Sequence, residues 1–189
     1  CFQQRLQDTL HRNNLTTVFG VGSIPKDSQL RDCLDGIDPE PLTAIFPEFL
    51  QRLQRAKHLV NYRILGDRYL IAVDGSQYFS SYSIHCKHCL RSKSSKGVRY
   101  HHAVLQPALI NPDMRQVLPL APEFIRNTDG STKQDCETNA TKRLVEKLRK
   151  THPKLNIVIT GDGLYSNQPT IEKLKEHRVS FILVAKPSD

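Results

Sequence analysis

YLIAVDGSQYFSS, residues 69–81, is the stretch on which the reading of the fold turns. Leu70, Ile71, Ala72 and Val73 form a short apolar run of the kind that builds a strand buried on both faces. At its end stands an acid, Asp74, followed by Gly75. A carboxylate at the tip of a buried strand is costly unless a cation or a hydrogen-bond donor compensates it. Such carboxylates are kept mainly where they hold a metal or take part in chemistry.

A second stretch repeats the pattern. Residues 155–165 read LNIVITGDGLY, where Ile157, Val158 and Ile159 lead to Asp162 between Gly161 and Gly163. Two buried strands presenting one Asp each at the same end would bring two carboxylates side by side, an oxygen-ligand site for a divalent cation. Asp-Gly is also among the commonest turn dipeptides, and either one alone reads as a turn. Two in matching context point to a site.

The rest of the composition bounds the class. A chain of 189 residues is one domain, or one domain with a small appendage. No run of eighteen apolar residues and no signal-peptide pattern occurs, so nothing in the sequence reads as a membrane segment. The chain opens on Cys1 rather than Met and is read as a fragment that can extend at either end. Its net charge of +8 favours polyanionic partners, nucleic acid first, although a solvated basic surface accounts for the charge as well. Five cysteines, three of them dispersed, are no disulfide framework and suit a reducing cytoplasm.

Residues 1–66 read as helical. Leu42, Ile45, Phe46, Phe49, Leu50 and Leu53 fall at helical spacing, with Pro47 predicting a kink or break. Ser28 is a candidate cap for a short helix ending at Gly36, with Leu30 and Leu34 inward. After the first acidic strand, residues 93–97 read as an exposed basic turn. Strands are then expected over 100–111 and 116–125, joined at Asn111-Pro112-Asp113. A polar loop over 128–134 leads to a helix capped by Thr132 or Asp135, with Cys136, Ala140, Leu144, Val145 and Leu148 inward. Lys142, Arg143, Lys147, Arg149 and Lys150 crowd its outer face. The second acidic strand, a helix opening near residues 167–169 and a last strand over 179–185 complete a β-β-β-α-β-α-β order.

These residues resemble the catalytic domain of a DDE transposase from a bacterial insertion sequence, on a ribonuclease H-like fold. The resemblance spans about residues 19–187 and rests on FGVGSIPKDSQLRDCLDGIDP, VDGSQYFSS, IHCKHC, VLPLAPEFI, QDCETNATKRL and GDGLYSNQP in that order. It implies a mixed α/β sheet behind an N-terminal helical region, with residues 67–189 as the catalytic domain. Asp74 and Asp162 would be two of three catalytic acids holding Mg²⁺ or Mn²⁺, for cleavage at transposon ends and strand transfer into target DNA. The third acid, a Glu on a helix after the fifth strand, has no match before Asp189, so the chain is expected to be catalytically incomplete. Glu123 and Glu137 could be mistaken for it, but neither follows that strand. DNA is the implied partner, with Lys93, Lys142, Arg143 and Lys147 as candidate contacts. A homodimer is compatible with the resemblance, as is a place at the bacterial nucleoid in the cytoplasm. A non-catalytic DNA-binding remnant and another ribonuclease H-like nuclease are the competing readings.

Separately, Cys86-x-x-Cys89 followed by His101 and His102 has zinc-like spacing. A hairpin could return either histidine to the cysteines, and His85 and His88 add candidates. Two reduced cysteines beside a hairpin is the simpler alternative. Tyr165, Ser166 and Asn167, directly after the second Asp, read more readily as a helix cap than as phosphate contacts.

Overall fold

Residues 2–9, 12–127 and 136–185 are described by a computed structural model. The chain divides into two compact units, Cys1–Pro41 and Leu42–Asp189. The first carries three helices: α1 (Phe2–Asp8), α2 (Asn14–Thr17) and α3 (Asp27–Asp35). The Asn13 side chain caps α2 by accepting from the Thr16 amide at 3.2 Å. Ser28 does not cap α3. It lies inside the first turn, and the Gln29 side chain accepts from the Lys26 amide instead. Gly36 closes α3 as expected, but Leu34 is 57% exposed, so the anticipated inward pair is reduced to Leu30.

The second unit begins well before residue 67, because its core recruits what precedes the sheet. Helix α4 (Ile45–Arg55) starts just ahead of Pro47, which therefore sits in the first turn, where its missing amide has no intrahelical partner to lose. The expected break is realised as a helix start. Leu50 is buried and Leu53 packs against the core, whereas Leu42, Ile45 and Phe49 are exposed. A 3-10 turn (His58–Tyr62) then buries Leu59 and Tyr62.

The sheet consists of β1 (Arg63–Ile64), β2 (Arg68–Ser81), β3 (Leu90–Ser94), β4 (Gly97–Ile110), β5 (Leu118–Pro119), β6 (Glu123–Ile125), β7 (Asn156–Gly161) and β8 (Ser180–Leu183). Helix α5 (Glu137–Thr151) joins β6 to β7, and α6 (Gln168–Glu176) joins β7 to β8. The strand order is β3-β4-β2-β7-β8, with β1 on β2 and both β5 and β6 on β4. Strands β2 and β4 are antiparallel; β2, β7 and β8 are mutually parallel. The class is thus α/β with an open, mixed sheet, as anticipated.

Two departures have local causes. The basic turn read over 93–97 forms at Ser95-Lys96, between Ser94 and Gly97, whose φ of +109° suits glycine, but it is tighter than read and is preceded by a strand, β3, that the sequence did not suggest. The expected strand over 116–125 is broken into β5 and β6, because Pro122 has no amide to donate to a ladder. The turn at Asn111 forms as read: its Oδ1 accepts from the Asp113 amide at 2.8 Å, and its Nδ2 donates to the Asn61 carbonyl.

Alternation along β4 sorts the core. Ala103, Leu105 and Leu109 are buried and share a cluster with Ile71 and Val73 of β2, Ile157 and Ile159 of β7, and Leu144, Val145 and Leu148 of α5. Cys136, expected inward, is exposed. The basic residues of α5 are not a free outer face. Arg143 Nε and Lys147 Nζ lie 2.7 and 3.0 Å from the carboxylate of Glu123, which is 7% exposed. Arg149 donates to the carbonyls of Pro153, Leu155, His177 and Arg178. The polar loop and the caps Thr132 and Asp135 lie outside the described residues.

A buried carboxylate shared by two half-exposed cations matters more than an exposed pair. Glu123→Ala should cost about 1–3 kcal/mol in urea unfolding. Glu48→Ala, which removes the exposed pair with Arg52 on α4, should cost under about 0.5 kcal/mol. Equal effects would contradict this ranking.

Candidate functional site

Asp74 is not at the tip of its strand. Strand β2 runs on to Ser81, and Asp74 lies near its middle, paired with Gln106 of β4. What ends there is the parallel partnership: β7 pairs with β2 only from Arg68↔Asn156 to Ala72↔Thr160. Two residues further along each chain come Asp74 and Asp162, and both are exposed. Asp74 thus stays on β2 two residues past the last shared pair, while Asp162 lies one residue beyond the end of β7 at Gly161, in the turn that follows. By alternation Asp74 falls on the face of Leu70 and Ala72, opposite that of Ile71, Val73 and Gly75.

Gly75 and Gly161 each have a steric reason. A Cβ on Gly75 would collide with the carboxylate of Glu137, the first residue of α5, and one on Gly161 would stand 2.6 Å from the Tyr165 ring. Tyr165 is buried and donates its hydroxyl to Glu137 Oε2 at 3.3 Å. Burial pushes its phenol well above the ordinary value near 10, and the carboxylates of Glu137, Asp162 and Asp74 push it further the same way. One phenol thus senses all three acids. Asp162 Oδ1 accepts from the Leu164 amide at 2.9 Å, which fixes the turn after β7. Asn167 then caps α6, accepting from the Thr170 amide. The cap reading of this segment holds for Asn167, whereas Tyr165 serves the interior.

Glu137 was set aside in the sequence as a false third acid. It comes near the aspartates, but over Gly75 and hence on the opposite face of β2 from Asp74. Among the described residues, Asp74, Asp162 and Glu137 do not form a group whose ligand atoms all lie within 4.8 Å of one another. Neither aspartate has an ion pair among the described residues.

The cysteine motif closes with one of the two histidines its spacing offered. Cys86 Sγ, Cys89 Sγ and His102 Nε2 form one group that could hold a metal ion, with separations of 3.8, 3.3 and 3.4 Å. His101 does not join them. Adjacent residues of a strand point to opposite faces, and His101 is 8% exposed on the core side. Burial lowers the pKa of both histidines; Arg99 adds to this for His101, and His88 and then His101 add to it for His102. Burial raises the Cys89 thiol. Among the DNA-contact candidates, Lys93 is exposed on β3 and Lys142 is half-buried on α5, while Arg143 and Lys147 are held by Glu123.

No protein-family model matches the chain, and no curated protein matches it. Among the described residues no helix is long and apolar enough to cross a membrane.

A phenol whose pKa is higher in the folded protein than in the unfolded chain stabilises the fold while protonated. The Tyr165 contribution is complete below the ordinary phenol value near 10 and is lost as pH rises toward its elevated one. Ultraviolet titration should therefore show a tyrosine that resists ionisation until the protein unfolds in strong alkali. Tyr165→Phe should remove that component and cost about 1 kcal/mol at neutral pH.

Proposed function

We propose that this chain is the catalytic region of a DNA transposase of the DDE type, on a ribonuclease H-like fold. The observation that carries the reading is that Asp74 on β2 and Asp162 just beyond the end of β7 each follow the last shared pair of two adjacent parallel strands by two residues. The order β4-β2-β7-β8, with β5 and β6 beyond β4, supports the fold assignment: three antiparallel strand positions lead into two parallel ones. The net charge of +8 supports a polyanionic substrate.

The DNA backbone is negative, so bare carboxylates would repel it. Mg²⁺ or Mn²⁺ held by Asp74 and Asp162 would reverse the local sign, lower the pKa of an attacking water or 3′-hydroxyl and stabilise the leaving oxygen. The residues themselves supply position. Val73 and Ile159 anchor the strands in the core, and the Asx turn at Asp162 orients its carboxylate. Lys93 and Lys142 lend backbone affinity without sequence choice. Zn²⁺ is the ion proposed for the Cys86–Cys89–His102 group, where sulfur and imidazole ligands replace oxygen.

In the full-length product of the reading frame, Asp74→Ala or Asp162→Ala should reduce Mg²⁺- or Mn²⁺-dependent nicking and strand joining by on the order of 10³-fold, the several kcal/mol a metal supplies. DNA binding should persist. Cleavage indifferent to both substitutions would overturn the proposal. Cutting without joining would point to a nuclease, and binding without metal-dependent cutting to a non-catalytic remnant.

The cations also separate. Lys93→Ala should weaken DNA binding and flatten its salt dependence by about one unit of slope, with folding intact. Arg143→Ala should instead show itself in unfolding, since it leaves Glu123 with one partner fewer.

A further inference from the structure

Residues 82–89 cross from β2 to β3 without regular secondary structure, and they expose Tyr82 and Ile84. Such a segment has little core of its own. Even so, it is tied at several points. Ser81 Oγ accepts from the amides of Ser83 and Ile84, and the His85 ring stacks on Tyr100 of β4 at 4.2 Å. The segment ends in the tight turn of Cys86 to Cys89.

We propose that Cys86, Cys89 and His102 bind one zinc ion as a structural staple between this crossing and β4. The first reason is metric. Tetrahedral zinc with sulfur at about 2.3 Å and nitrogen at about 2.0–2.1 Å sets its ligands about 3.8 Å apart for two sulfurs and about 3.5 Å for sulfur and nitrogen. The group shows 3.8 Å between its sulfurs and 3.3 and 3.4 Å from them to His102 Nε2. A disulfide would need about 2.05 Å between the sulfurs.

The second reason is that the backbone fixes both sulfurs. The Cys86 amide donates to Cys89 Sγ at 3.3 Å and the His88 amide to Cys86 Sγ at 3.4 Å, so each sulfur receives an N–H. The Cys89 amide closes the turn on the Cys86 carbonyl. Asn127, just past β6, donates to the carbonyls of Lys87 and Cys89 and holds the turn from outside.

The third reason is that His102 is held independently. Its ring lies 5.8 Å from that of Tyr78, interplanar angle 14°, and 5.7 Å from that of Phe79. Among the described residues no fourth His, Cys, Asp or Glu atom joins the group.

This site does not depend on the transposase reading, and its test can fail separately. Protein purified without chelators and incubated with excess zinc should carry about one zinc per chain after desalting, measured by elemental analysis. Cys86→Ser and His102→Ala should each weaken zinc binding at least about 100-fold, whereas His101→Ala and Asp74→Ala should leave the stoichiometry unchanged. Should the ligand variants fail to fold, a chelator titration of the wild-type protein replaces them. Zinc removal should speed proteolytic cleavage within residues 82–88, and zinc should reverse this. Cobalt put in its place should give the visible bands of a four-coordinate thiolate centre. Wild-type protein without stoichiometric zinc, full retention by Cys86→Ser, or cleavage indifferent to the metal would overturn the proposal.

Discussion

Strand β2 must serve two different partners, and the point where it loses one of them organises the molecule. From Arg68 to Ala72 it is bonded on one side to β7, and on the other to β1 at Arg68 and Tyr69 and to β4 from Leu70 on. Its residues there alternate between a sealed core face and a half-buried one, and every backbone group has a ladder to join. Past Val73 the β7 side is vacated, and β2 continues only with β4. An exposed carboxylate is tolerable at that edge and would not be two residues earlier. Asp74 stands at the first position where the strand is held rigidly from behind yet open in front. Asp162 stands one residue beyond the end of the strand that has just left.

The layer under this edge is built from acids that are neutralised rather than displayed. Glu123 enters the interior only because Arg143 and Lys147 reach it from α5. Glu137 begins the same helix and meets the Tyr165 hydroxyl across Gly75, so the helix is pinned at its first turn as well. The cost of burying charge is offset locally in the first case and by hydrogen bonding in the second. These ties fix the direction of α5 against β4 and β6, and with it the approach of the chain to β7. Residues that look like DNA contacts in the sequence thereby become part of the scaffold.

How much of this was readable beforehand depends on whether the information was periodic or geometric. The apolar runs before Asp74 and Asp162 are short and dense, and both strands followed from them; the α5 stripe followed from its own helical spacing, except at Cys136. The partner of Arg143 and Lys147 did not. A helical wheel places them outward, and only the path of β6 brings Glu123 beneath them. Likewise β3 hid behind its charges, because Arg91 and Lys93 alternate with serines in a strand whose stability comes from β4 rather than from burial. The choice between His101 and His102 was undecidable from spacing, since one residue of register decides which face a side chain takes. Pro47 was read as a fault in a helix, whereas the first turn accepts it.

The far end of β2 poses the opposite problem from its near end. Beyond Gln77 the sheet is reduced to β2, β4 and β3, where Ser80, Ser92, Lys93, Ser94 and Arg99 leave few apolar contacts to hold three strands together. Small sheets without a hydrophobic face are marginal in water. The register also slips between Gln77 and Phe79, so the ladder itself is weakest where support is needed most. What is available there is ring stacking by Tyr78, His85, Tyr100 and His102, together with the two sulfurs that converge on His102. A covalent-strength cross-link at that spot would stiffen the extension without enlarging a core, which the basic, exposed β3–β4 hairpin has no room to supply. On that argument the two candidate metal sites answer to one strand: oxygen ligands where it is rigid and must attract charge, sulfur and nitrogen where it is bare and must be held.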